Sequence, residues 1–183
     1  MKVETSTCTK VVISDLINSE FKLDPVTVYL NDIGPRQGKI TIECYGQSWS
    51  AFWGGMGDLT IAEFFCSCNA HYLAGKLSDI DSNIDDLEGL PAIARQEVIS
   101  LRKAREISAD EARDMYDDAS CLEVERADHL HGDLPAGELM RKIFGDEWWH
   151  AIPNKPNPDY EYLCRIIRAV QAGLRTLKED KAA

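Results

Sequence analysis

The sequence contains no apolar run approaching the ~18 residues that a membrane span needs. Its N-terminus, Met1-Lys2-Val3-Glu4, has no apolar stretch behind the first lysine, so a secretory signal is not expected. It also lacks a G-x-S-x-G elbow, which leaves Ser14, Ser48 and Ser50 without the setting of a nucleophile. The glycine-rich stretch Trp53-Gly54-Gly55-Met56-Gly57-Asp58 is not followed by Gly-Lys-Ser/Thr and has no dinucleotide-binding spacing. Asp58 and Glu63 would set negative charge where a phosphate would sit, so this segment reads as a turn. No segment repeats. These absences predict a cytoplasmic, membrane-free protein without cofactor, whose six cysteines stay reduced and mostly fill the core.

Basic residues are also in short supply. The 183-residue chain has 31 acids against 20 Lys and Arg, a net charge of −11. The acids cluster. Glu106 to Asp128 holds nine of them, opposed only by Arg113 and Arg126, and Asp79 to Glu88 holds five with no base. Such a surface repels nucleic acid and anionic lipid and suits a partner with a basic surface. Within the first cluster Asp110, Glu111, Asp114, Asp117 and Asp118 recur at helical spacing, which makes them candidate partner-binding residues. A solvated helix face explains the same pattern.

What is present predicts an α+β chain. Val26–Leu30, Lys39–Tyr45 and Ser48–Trp53 read as a three-stranded antiparallel meander, with Ile40, Ile42 and Cys44 on one face of the second strand and Trp49, Ala51 and Trp53 on one face of the third. Thr9–Ile17 reads equally as a strand or a short helix. Thr60-x-x-Glu63 and Ser108-x-x-Glu111 are capping boxes. The first should open a helix over Thr60–Leu77, with Phe64 and Phe65 on its apolar stripe. Further helices are expected from Leu90 past Ala104, from Ser108 to about Leu122, in the stretch up to Phe144, and from Asp159 onward. This gives an expected division at residues 1–89, meander plus helix, and 90–183, a helical region packed on it. The last apolar stripe could also pair two copies of the chain. A pocket between sheet and helix would suit a small-molecule sponge.

Three metal-like patterns fail in part. Cys66, Cys68 and His71 resemble a ligand run, but Cys66 and Cys68 point to opposite sides of a helix. His129-x-His131-x-Asp133 resembles a metallo-hydrolase motif, the basis of an alternative reading as a small metal-dependent hydrolase, but Leu134 follows where another histidine is needed. Asp79-x-Asp81-x-Asn83 begins like a calcium loop, but Ile84 and Leu90 replace its glycine and closing glutamate. No metal site is therefore expected. Adjacent Trp148 and Trp149 are the remaining candidates, since one of a neighbouring pair is hard to bury and an exposed Trp anchors interfaces; packing of both against the last helix explains the pair equally well.

The stretch 34–78, above all Gly38 to Gly57 (GKITIECYGQSWSAFWGGMG) and Thr60 to Leu73 (TIAEFFCSCNAHYL), resembles accessory proteins of lambda-like prophages of enteric bacteria. The resemblance carries no catalytic residues. It implies a small protein acting in a bacterial host as a non-enzymatic inhibitor of a host or anti-phage defence protein.

Overall fold

The computed structural model describes residues 1–16, 22–122, 130 and 135–182. Four strands, β1 (Thr9–Ile13), β2 (Val26–Gly34), β3 (Gln37–Cys44) and β4 (Gln47–Trp53), form an antiparallel sheet in sequence order. The ambiguous N-terminal segment is thus a strand, and the meander has four strands rather than three. Alternation sets the buried face. Val28 pairs with Ile42 and Ile42 with Trp49, and Leu30 pairs with Ile40 and Ile40 with Ala51. All of these face the core. The β3–β4 turn uses Tyr45 (φ 47°) and Gly46 (φ 77°), the left-handed pair that matches the twist of a two-residue hairpin.

The expected single helix over Thr60–Leu77 is two: α1 (Ile61–Ser67) and α2 (Ala70–Leu77). The break follows from Asn69. Its side chain accepts the Tyr72 N–H at 2.8 Å and starts a new helix, while Cys68 is extended (ψ 153°). The carbonyls freed at the end of α1 are satisfied from a distance. Gln171, the one buried polar side chain among the described residues, donates to Phe65 O at 2.9 Å and Cys68 O at 2.8 Å. Arg175 donates to Cys66 O at 2.9 Å. Phe65 is fully buried and Phe64 only partly, tilted against Trp53 at 5.6 Å. Adjacent residues lie ~100° apart around a helix, so both cannot occupy the middle of one stripe.

After β5 (Asn83–Asp85) come α3 (Leu90–Ala104), α4 (Ala109–Ser120), α5 (Pro135–Phe144), a 3-10 turn (Trp148–Ala151), β6 (Asn154–Pro156) and α6 (Pro158–Ala182). β5 and β6 pair antiparallel, so the acidic stretch Asp79–Glu88 and the segment containing Pro153, Pro156 and Pro158 share one small two-stranded sheet. Pro91 stands in the first turn of α3, where its missing N–H costs nothing. The arrangement is α+β, as expected.

Contacts divide the chain differently from the boundary expected at residues 89 and 90. One unit is Met1–Ser82 with Pro158–Ala183, and the other is Asn83–Asn157. Each has its own core. In the first, α6 lays Leu163, Ile166, Ile167, Val170 and Leu174 into the cluster that holds the sheet face, Phe65 and Leu73. In the second, Leu90, Ala94 and Val98 of α3 meet Leu139, Met140, Ile143 and Trp148. The α6 stripe, expected as a possible contact between copies, is therefore already covered inside its own unit.

Candidate functional site

The acidic helix forms as its sequence dictates. Ser108 accepts the Glu111 N–H at 3.2 Å, and the Glu111 carboxylate accepts the Ser108 N–H at 2.8 Å. These bonds hold the Glu111 carboxyl below its ordinary range. Glu111 thus anchors the start of α4. Asp110 lies at 3.2 Å from Arg113. Asp114, Asp117 and Asp118 are exposed and form no ion pair among the described residues. A helical step of ~100° places these three with Asp110 on one outward sector, opposite buried Ala119. Asp117 and Asp118 fall in the last turn, which contains no basic residue. There the helix dipole disfavours carboxylates.

The tryptophan pair splits. Trp148 is 3% exposed and lies in the core of the second unit, whereas Trp149 is 48% exposed. Their rings meet edge to face at 6.1 Å, and Trp149 also packs against His150 at 5.7 Å. Burial removes Trp148 from any contact surface.

The remaining motifs find ordinary explanations in the sheet-bearing unit. The N-terminus of α1, where an anion would bind, is occupied by the protein itself. Asp32 accepts the Ile61 N–H at 2.7 Å, and Thr60 caps Glu63. Cys68 lies beyond the end of α1 and His71 within α2, so the helical three-residue spacing between them does not exist. His71 Nδ1 instead meets the Tyr160 hydroxyl at 3.0 Å. Burial pushes the Cys66 and Cys68 thiols up, away from reactive thiolates. Among the described residues no three His, Cys, Asp or Glu side chains gather as a metal site requires. His129, His131 and Asp133 lie outside the described residues.

A groove of about 450 Å³ lies between α1 and α6, lined by Ala62, Cys66, Leu174 and Leu177. This is helix against helix, where a pocket between sheet and helix was expected. Its polar groups already pair with each other: Lys178 with Glu63 at 2.9 Å, and Arg175 with the Cys66 carbonyl. A sponge would need polar groups free to orient a ligand.

Among the described residues no helix is long and apolar enough to cross a membrane. Residues 1–176 match a family described simply as a phage family. The chain belongs to this phage family. The match runs through both units and well past the 34–78 stretch that carried the resemblance. No curated protein and no solved structure matches the chain.

Proposed function

We propose that this phage-family protein is a non-enzymatic inhibitor that binds a host or anti-phage defence protein of the bacterial cytoplasm, and that the outward face of α4 makes the contact. The lambda-like, enteric origin suggested by residues 34–78 belongs to this proposal. The observation that carries it is the placement of Asp114, Asp117 and Asp118. They are exposed, they lack ion pairs among the described residues, and two of them stand where the dipole of their own helix opposes them. Three carboxylates that pair with nothing on their own fold leave a negative surface open to a basic partner. The complementary partner presents a basic groove, of the kind that holds nucleic acid, and the acidic face competes for it. The protein itself does not bind nucleic acid.

The test is capture from bacterial lysate by the wild type and by D114K/D117K/D118K in parallel. A protein retained by the wild type, lost from the variant and displaced by added nucleic acid supports the reading. Equal retention by both proteins rejects it. The exposed Trp149 supports a second reading, in which the contact is aromatic. Binding would then be nearly indifferent to salt and lost in Trp149→Ala.

A further inference from the structure

The two edges of the four-stranded sheet differ. β1, at one edge, has five residues and carries the exposed Lys10. A short strand and a lysine are common protections against pairing with another chain. β4, at the other edge, has seven residues and pairs with β3 without a register shift. In a chain that is 28% charged, its sequence QSWSAFW holds no charge and no proline. The Tyr45–Gly46 turn fixes which of its backbone groups face outward. In a two-residue hairpin the flanking residues, Cys44 and Gln47, bond to each other, and bonding pairs then recur at every second residue. Gln47, Trp49, Ala51 and Trp53 therefore turn their N–H and C=O groups toward β3. Ser48, Ser50 and Phe52 turn theirs away, and none of the described residues hydrogen-bonds to those outward groups. The side chains of these three are exposed as well, Phe52 to 57%.

We infer that β4 pairs antiparallel with β4 of a second copy, about a two-fold axis through Ser50, and so joins the two sheets into one. A two-fold interface must be self-complementary, and in this register β4 is its own complement. Ser50 faces Ser50 and Ser48 faces Phe52, so every outward N–H and C=O finds a partner. Bulk also matches. On the core face Trp49 falls opposite Ala51 and Trp53 opposite Gln47, and on the outer face Phe52 falls opposite Ser48. No pair sets charge on charge. Neighbouring registers are worse. An axis through Trp49 sets the two Trp49 rings against each other and carries Phe52 past the end of the opposing strand. An axis through Ala51 sets Trp49 on Trp53 and carries Ser48 past the end. This match of large to small selects a second copy over an unrelated extended segment, to which the edge offers hydrogen bonds alone. Repulsion between copies of net charge −11 raises the concentration at which the pairing appears.

Sedimentation velocity of the full chain over increasing concentration tests the inference, with circular dichroism to establish that each variant is folded. The wild type should approach twice the monomer mass. Ser50→Pro removes an outward N–H and no bond to β3, so it should keep the fold and lose the dimer. Ser50→Lys and Ser50→Glu each set like charge on like charge across the axis. Each should dissociate at concentrations where the wild type is paired. An equimolar mixture of the two should associate again, because residue 50 of one copy faces residue 50 of the other. If Ser50→Pro fails to fold, the two charge variants and their mixture carry the test alone. A wild type that is monomeric at every concentration overturns the inference and leaves the edge to an extended segment of a different protein. A dimer that survives in folded Ser50→Pro overturns it too, as does a mixture no more associated than either charge variant by itself.

Discussion

In the sheet-bearing unit, the polar side chains around the core are committed to holding it. Glu63 caps α1 and pairs with Lys178, Gln171 and Arg175 satisfy the carbonyls at the end of α1, and Asp32 occupies the start of that helix. In the helical unit, Glu111 and Lys155 have comparable duties, Lys155 bridging Asp86 and Glu88. Asp114, Asp117 and Asp118 on the outward face of α4 have none. A surface that does nothing for its own fold, in a chain whose other unit uses its charges structurally, is the better place to look for a partner. Each prediction below probes that contrast.

Phe65→Ala should have the largest effect, a loss of about 3–5 kcal/mol from emptying a fully buried aromatic site. Phe64→Ala should cost less, since its ring is only partly buried. Calorimetric midpoints that do not distinguish the two would mean that the stripe of α1 is misplaced. Gln171→Leu should follow, at about 1–3 kcal/mol, because it strands the carbonyls of Phe65 and Cys68. A neutral result in denaturant titration would show that those carbonyls find other donors.

The third prediction concerns acid. The Lys178 ammonium, then the Thr60 backbone and hydroxyl, hold the Glu63 carboxyl down at about 2, against an ordinary value of 4.5. A carboxyl depressed by folding contributes stability above its unfolded pKa and loses it as pH falls toward its folded one. Wild type should therefore lose a contribution between about pH 4.5 and pH 2 that Glu63→Gln never has. Parallel stability curves for the two proteins across that window would remove Glu63 from the account. The smallest effect on stability should come from D114K/D117K/D118K. Reversal near the end of α4 relieves the dipole, so the expected change is within about 1 kcal/mol and on the stabilising side.

Much of this was legible in the sequence, where side-chain period and local capping decide structure. Ile40, Ile42, Trp49 and Ala51 alternate, and they are the buried rows of the sheet. Both capping boxes form as read. What the sequence concealed depended on distance. The break at Cys68–Asn69 has a local signal in the Asn69 cap, but the Cys68 carbonyl is satisfied by Gln171, 103 residues away, and no local pattern encodes that bond. The grouping of α6 with the sheet is long-range in the same way. The acidic stripe was visible as spacing. The α3–α4 pairing, which sets Arg95 over the Tyr116 ring, was not visible in charge counted along one segment. Adjacency of Trp148 and Trp149 left open whether one is exposed or both are packed, and the core of the helical unit shows that Trp148 is the buried one.

The most direct test of the central claim is the affinity of the captured host protein for wild type and for D114K/D117K/D118K at two salt concentrations. The account predicts a fold that is no less stable, tight binding by the wild type at low salt, weakening as the Debye length falls from ~10 Å at 0.1 M to ~3 Å at 1 M, and no binding by the variant. Binding by the variant at wild-type strength, with the same indifference to salt in both proteins, would contradict it.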